Sequence, residues 1–490
     1  MDFKEFILAH SGDDIAALAL RRNALSRDIP DWDLALSTLE ARSKLRHKVP
    51  QWHAVPSLQY PKALSAEQCS STETARYKAS LLSHFPSLST KTAISVDKPS
   101  ESPTCPPKHP ISVDKPSEAP TCPPKHPVSV DKPSESPTCP PKHPVSVDKP
   151  DGVVEGLRVA DLTGGLGVDA WTFCQVAEEV LYNEMDTELC RAAEHNFKEL
   201  GVKNVVVRNR MVEPGTVKDI LGSFEPDVLF LDPARRGDGG RKVFRLEDCS
   251  PNVLELLPEL YDACSNIMLK LSPMADITLV CKQLPGVREV HVVATGGECK
   301  ELLLLLEKGF TGAYSTVIYE SGNVLIYGDG GNVHKPSLRD PSHLRWAPPS
   351  YVAEGGHRFV DITTISSTTY LFEPGKALLK AGAFELPCEY GLTKLSRHTH
   401  LYVSQDPVPE VLAPFGKCFE ILEILPLSGK TMKEAGKRYP KADVTARNIP
   451  MTSEELAKRL GVKPGDGSIH IFGTHSDSEG RALIICRDNK

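Results

Sequence analysis

The sequence predicts an α/β protein in which a doubly wound parallel sheet is joined to a helical N-terminal region and to α+β C-terminal modules. Three observations carry that expectation. An apolar run at 157–160 ends at Asp161 and passes through Thr163, Gly164, Gly165 and Gly167 into helical spacing over 170–180, which reads as a strand, a tight glycine turn and a helix. A second strand at 179–182 ends in Asn183, Glu184 and Asp186, ahead of a helix over 187–200. Val228–Leu231 is a four-residue apolar run suited to a strand buried on both faces, and Asp232-Pro233 follows it, where such strands deliver residues to a crevice.

Residues 1–92 carry helical patterning over 15–24, behind the capping run 11–14, and over 33–44 and 65–82. Arg42, Lys44, Arg46, His47 and Lys48, with Trp52 close behind, read equally as an RNA contact and as a solvated helix end. Residues 93–152 form a proline-rich linker in which a 17-residue unit recurs, as in ISVDKPSESPTCPPKHP. Proline removes backbone donors and no apolar stripe exists to bury, so an extended, disordered, polyproline-like segment is expected. Its Cys105, Cys122 and Cys139 offer no fixed geometry to a metal. The domain carrying the glycine turn is expected over 153–320, and two α+β modules over 321–415 and 416–490, with strands near 368–372 and 400–403 in the first and near 418–425 in the second.

The glycines alone leave two ligands open. Gly165, Gly167 and Ala170 fit a dinucleotide fingerprint, in which a helix N-terminus faces a pyrophosphate. Asp161, four residues before Gly165, favours something else: a carboxylate there pairs with an ammonium or an ordered water, and a pyrophosphate gains nothing from it. At the second strand end, Glu184 is the better placed to accept ribose hydroxyls, and Asp186 serves equally as the cap of the following helix.

Together these three segments resemble the first, second and fourth motifs of class I S-adenosylmethionine-dependent methyltransferases. The resemblance implies a Rossmann-like domain that binds S-adenosylmethionine through Asp161, Thr163, Gly164, Gly165, Gly167, Glu184 and Asp186. Asp232-Pro233-Ala234-Arg235 is similar to the DPPY, NPPY and DPPR motifs of nucleic-acid methyltransferases. That similarity implies that Asp232 and the neighbouring backbone hold a base nitrogen with its lone pair toward the donor methyl, with Asp232, Pro233 and Arg235 as catalytic residues. The base-stacking aromatic of DPPY is missing. Arg235 and Arg236 could stack on a base or hold a phosphate, or be solvated turn arginines. In 5-methyluridine enzymes a cysteine nucleophile follows the next strand; the corresponding segment here, Lys270-Leu271-Ser272-Pro273, has none, and Cys249 lies between strands. Transfer to nitrogen needs only positioning and a free lone pair. Lys270 and Ser272 are expected at the same crevice, Lys270 as a substrate contact with Arg236.

Further along, YLFEPGKALLKAGAFELP at 370–387, KLSRHTHLYVS at 394–404 and ARNIPMTSEELAKRLGVKPGDGSIHIFGT at 446–474, with EQCSSTETARYKA at 67–79, resemble a bacterial methyltransferase family best known from Bacteroidetes. That family combines a ferredoxin-like module, with no iron–sulfur cluster implied, and a THUMP-like C-terminal domain. It implies RNA, either tRNA or rRNA, as partner. The net charge of −7 argues against phosphate binding over the whole surface, but 430–463 is locally basic, and one basic face suffices to position an RNA. The alternatives are a methyltransferase of small molecules or proteins and a catalytically idle RNA-binding protein.

Thirteen cysteines without a CxxC pair suit reduced thiols and give no metal site. The start, MDFKEFILAHSGDD, lacks the pattern of a signal peptide, and the leucine run 302–306 is too short to span a bilayer, so a cytoplasmic protein with no membrane partner is expected. Oligomeric state is not legible. Because the repeats contribute no core, deleting residues 97–147 should leave the melting temperature and donor affinity nearly unchanged; a large drop in either would show that they pack or recruit.

Overall fold

The structure, a computed structural model, describes residues 2–25, 29, 31–85, 156–235, 245–327, 369–476 and 480–488; the linker expected at 93–152 and Arg236 lie outside them. The N-terminal region comprises helices α1 (Phe3–Ala9), α2 (Ile15–Leu20), α3 (Arg22–Leu25), α4 (Trp32–Lys48), α5 (Pro50–His53), α6 (Ala63–Gln68) and α7 (Thr72–Leu81). Asp14 caps α2, accepting from Ala16 N at 2.8 Å. The single helix expected over 65–82 is two, because the Ser71 hydroxyl accepts from Thr74 N at 3.1 Å and starts a new helix there.

The central sheet holds β1 (Arg158–Asp161), β2 (Glu179–Asn183), β3 (Val205–Arg208), β4 (Val228–Leu231), β7 (Asn266–Leu271), β8 (Val287–Thr295), β9 (Glu298–Glu307), β10 (Ser315–Glu320) and β11 (Asn323–Tyr327); the two-residue strands β5 (Ala234–Arg235) and β6 (Cys249–Ser250) form a separate ribbon. Its order is β11-β10-β8-β9-β7-β4-β1-β2-β3. The half from β3 to β7 is parallel, as expected. The other half is mixed: β9 runs antiparallel to both β7 and β8, and β11 antiparallel to β10. The helix α8 (Val168–Phe173) after the glycine turn is shorter than the expected 170–180. Turn bonds run on to Ala177, whose N–H donates to Phe173 O at 2.8 Å, and then Glu178 N donates to Leu157 O and Val180 N to Asn204 O, both at 2.8 Å, so sheet pairing captures the chain there.

Strand pleating splits the sheet's side chains between two cores. On one face Ala160, Leu229, Leu231 and Leu269 pack under α10 (Val217–Leu221), α11 (Val253–Ala263) and α12 (Ile277–Gln283). The same core takes in Phe372, Leu378 and Tyr402 from the α+β module built on β12 (Tyr370–Pro374), α13 (Lys376–Lys380), α14 (Leu386–Glu389), β13 (Thr393–Lys394) and β14 (Tyr402–Ser404). On the other face Val159, Phe230, Met268 and Leu303 meet Phe173 of α8, Phe197 of α9 (Thr187–Glu199), and Tyr77, Leu81 and Phe85 from the N-terminal region. The C-terminal module, β15 (Gly416–Pro426), α15 (Gly429–Arg438), β16 (Asp443–Ala446), α16 (Ser453–Leu460), β17 (Ile469–Ser476) and β18 (Gly480–Asp488), joins the second sheet, ordered β13-β14-β12-β15-β18-β17-β16.

The N-terminal cover is fastened by a buried cation. Lys78 of α7 is wholly shielded from solvent, and its ammonium lies 2.6 Å from Glu301 Oε1 on β9, 3.3 Å from Asp169 Oδ1 on α8 and 3.0 Å from the Ser70 hydroxyl. Lys78→Met should cost about 3–5 kcal/mol, because two carboxylates lose their buried counter-ion. Adding Glu301→Leu should recover part of it by removing one stranded charge. Urea unfolding midpoints check this; a Lys78→Met loss of under about 1 kcal/mol would mean that water replaces the ammonium.

Candidate active site

The first turn after β1 is shaped by backbone needs. Gly164 lies so close to Tyr182 that a Cβ would sit 2.1 Å from its ring, while Gly165, at φ +54°, has open space where a Cβ would point. Gly167 begins α8 in the left-handed region. The turn is tied across the strand tips: Gly164 N donates to Asn183 O at 2.7 Å, and the Tyr182 hydroxyl donates to Gly165 O at 2.6 Å. A cleft of about 230 Å³ opens beside it, lined by Asp161, Thr163, Gly164, Gly165, Gly167, Glu184 and Asp232 and walled on one side by Gln68, Cys69 and Ser70 of the N-terminal region.

Glu184 is buried, with both oxygens engaged: Oε2 accepts from Gly165 N and Oε1 from Asp186 N, each at 2.8 Å. One lone pair remains on each for a further donor. Asp186 caps α9 through Glu188 N and Leu189 N, at 3.0 and 3.1 Å, and pairs with Lys62; it does not line the cleft. The cap reading, left open by the sequence, describes its present contacts.

Asp161 is 1% exposed. Its Oδ1 accepts from Thr163 N at 3.0 Å, and its Oδ2 is buried without a hydrogen-bond partner. Burial pushes this carboxyl well above the usual carboxylate range, the charge of Asp169 adds to the push, and the Thr163 N–H opposes it. Thr163 also accepts from Asp232 N at 2.6 Å, which fixes the start of the Asp232-Pro233 segment against the glycine turn.

Asp232 contacts Lys270, whose ammonium also lies 3.9 Å from Glu301 Oε2. Burial alone would lower the Lys270 pKa, but Asp232 and Glu301 outweigh it and hold the ammonium above the ordinary lysine range. Lys270 lies on the face of β7 that meets the N-terminal region, so it reaches Asp232 from beneath the cover. Pro233 is buried and does not line the cleft. Arg235 contributes backbone to β5, and its side chain is outside the described positions, as is Arg236 entirely. The Ser272 hydroxyl accepts from Met274 N at 3.2 Å in a turn.

Cys249 is fully buried, its thiol 3.6 Å from Arg245 O, and the cleft is lined by Ser250 and Pro251 instead. The thiol that does line the cleft is Cys69, which the sequence did not single out; burial pushes it up to about 11 and it donates to Ala66 O at 3.2 Å. Asp169, Lys78 and Glu301 were also missed. Asp169 closes the quoted VADLTGGLGVD run, but nothing local marks Lys78 or Glu301 as its partners. Among the described residues no group of His, Cys, Asp or Glu is placed to hold a metal, and no helix is long and apolar enough to cross a membrane.

A family described as a ferredoxin-like domain matches residues 370–411, and one described as THUMP domain-like matches 416–488. No curated protein matches the chain. A solved structure from Porphyromonas gingivalis W83, described as a candidate methyltransferase, aligns over 100% of this chain and 98% of its own, at 25% identity and a TM-score of 0.70. An rRNA methylase from Streptococcus thermophilus aligns over 31% of this chain and 86% of its own, at 12% identity and a TM-score of 0.23. A candidate methyltransferase from Streptococcus mutans in complex with SAH aligns over 32% and 90%, at 10% identity and a TM-score of 0.24.

A carboxyl whose pKa is raised in the folded state destabilises that state wherever it is ionised: not at all below its unfolded value near 3.8, and increasingly above it. Asp161→Asn should therefore raise the melting temperature of the ligand-free protein at neutral pH, with the gain fading as pH falls toward 3.8. Thermal melts across pH check this, and a variant less stable than the native chain at pH 7 would contradict it.

Proposed function

We propose that this chain, which carries ferredoxin-like and THUMP domain-like modules and shares its whole-chain architecture with the P. gingivalis structure, transfers a methyl group from S-adenosylmethionine to a base nitrogen of tRNA or rRNA. The observation that carries the reading is the buried, unpartnered Oδ2 of Asp161 at the edge of a glycine-walled cleft. A desolvated carboxylate oxygen left without a donor suits a cationic ligand, and the donor's amino-acid ammonium is one. A pyrophosphate does not fit this charge.

S-adenosylmethionine, when bound, supplies a methyl group on a positively charged sulfur. The chain's own residues do the rest. Asp161 would accept from the ammonium, the Gly164–Gly165 backbone lets the ligand approach, and the spare lone pairs of Glu184 would accept the ribose hydroxyls. Asp232 would accept an N–H of the target base and so aim the nitrogen's lone pair; positioning of this kind supplies much of a transfer reaction's acceleration. Lys270, held protonated by its carboxylate neighbours, steadies Asp232 by direct contact and is no base itself. Nitrogen is favoured over carbon as acceptor because Cys249 is sealed in the core and Cys69 is held as a thiol, where carbon methylation through an adduct needs a thiolate. The THUMP domain-like match and the exposed Lys430, Lys433, Lys437 and Lys441 of the C-terminal module support RNA as the acceptor.

Titration calorimetry should show donor binding lost or much weakened in Gly165→Arg and Glu184→Ala. Asp232→Ala should bind donor normally yet turn over at least about a hundredfold more slowly. Cys249→Ser should stay active. Mass spectrometry of nucleosides from cells lacking the protein should reveal one missing methylated base. Unchanged donor affinity in both cleft variants would remove the reading, and activity lost in Cys249→Ser but kept in Asp232→Ala would redirect it to carbon.

A further inference from the structure

A second and larger cleft, of about 1040 Å³, opens between α4, α6 and α7 on one side and the β7, β8–β9 and β10 strand ends on the other. It is not the donor cleft. The two share the wall Gln68–Cys69–Ser70 and meet at one pair: Asp232 lines the first cleft, Lys270 lines the second, and the two side chains touch across the partition. A group lowered into the second cleft therefore arrives at the Lys270–Asp232 pair from the side opposite the donor.

The rim of this cleft is cationic. Lys44, Lys48, Arg76 and Lys300 stand around it, and Lys270 and Glu301 form its floor. Glu67 lies 3.3 Å from Lys44 and Glu298 lies 2.7 Å from Lys300, so a phosphate displaces exposed carboxylates from these two lysines, and Glu73 accepts from the Tyr319 hydroxyl at 3.2 Å. Glu301 is satisfied from below by Lys78 at 2.6 Å. Arg76 and Lys300 are exposed at opposite walls, one on α7 and one on β9. The stretch Arg42–Lys48, ambiguous in sequence, divides here. Arg42 is buried and donates to Val55 O and His53 O at 3.0 and 2.7 Å, while Lys44, His47 and Lys48 face the cleft.

We infer that this cleft is where the acceptor enters: a single-stranded RNA segment lies across the rim with its phosphates on Arg76, Lys300 and the α4 lysines, and one nucleotide is inserted base-first toward Asp232. The inference rests on the methyltransferase reading above and assigns the acceptor path to the N-terminal helices. Positive rims that follow a sugar–phosphate backbone are how single strands are held, and a base must leave its stack to reach a recessed reacting group. A stacked and paired base is not free to be inserted, so the target nucleotide lies in a loop, a bulge or an end.

The test is fluorescence anisotropy of the full chain with a short fluorescein-labelled single-stranded RNA, comparing Arg76→Glu/Lys300→Glu with Lys437→Glu/Lys441→Glu on the C-terminal module. The cleft variant should bind at least about tenfold more weakly, with a salt dependence shallower by roughly two phosphate contacts. Its donor affinity, measured in parallel, should be unchanged, because neither residue lines the donor cleft. Native RNA affinity in the cleft variant overturns the inference, whatever the C-terminal variant does, and leaves RNA methylation standing. A native chain that binds donor but no RNA overturns both, and there the failure belongs to the functional reading.

Discussion

The ammonium of Lys78 is the contact on which the site's geometry depends. It joins three segments that the sequence keeps far apart, the N-terminal helix α7, the helix that follows the glycine turn, and β9, and it does so with no exposure to solvent. A single buried lysine is strongly disfavoured, so the cover can dock only where Asp169 and Glu301 meet it together. Burial raises the pKa of Glu301, and Lys78 and Lys270 pull it back, so the carboxylate is held between a cation sealed under the cover and one on the floor of the larger cleft. Docking of the cover, closure of the donor cleft wall at Gln68–Ser70 and placement of Lys270 are thereby one event.

The electrostatics of the site follow from the same crowding. Asp161, Asp169, Glu184, Asp232 and Glu301 converge on the strand ends, and among the described residues the ion pairs made with this group are those of Lys78 and Lys270. Those two are committed to Asp169, Glu301 and Asp232, which leaves Asp161 deprived both of solvent and of a counter-ion. The raised pKa of its carboxyl is the physical form of that deficit. A ligand bringing a positive charge relieves it, and an anionic one deepens it. This is why a turn whose glycine spacing also suits a dinucleotide is a poor pyrophosphate site.

What the sequence made legible is what short-range physics decides. The four strands β1, β2, β4 and β7 were readable because each is a compact apolar run, and the glycine turn because Gly164 and Gly165 mark a close approach and a positive φ. Asp14 stood in a capping run ahead of a helical one, while Asp186 was readable equally as a cap and as a ribose contact. The errors have a common origin in competition between local and tertiary bonding. The helical periodicity of 170–180 is real, but beyond Phe173 it runs out in turns that end at Ala177, and from Glu178 the backbone bonds to Leu157 and Asn204 instead. Likewise Lys78 sits in a helix whose lysine reads as solvated, and no pattern within the helix reveals that a β strand more than two hundred residues later presents Glu301 to it.

The mixed half of the sheet explains how that glutamate arrives. In a parallel strand the crevice receives residues from the carboxyl end, as with Asp161 and Asp232. β9 runs the other way, its register setting Leu302 opposite Leu271 at the end of β7, so residues at its beginning reach the same edge. Glu301 can stand beside Lys270 only because the strand is reversed; a parallel neighbour would bring Glu307 to the crevice instead. The β8–β9 hairpin that achieves the reversal also raises Lys300 on the outer wall of the larger cleft. One change of strand direction therefore supplies both the anion that anchors the N-terminal cover and a cation on the surface that faces away from the donor.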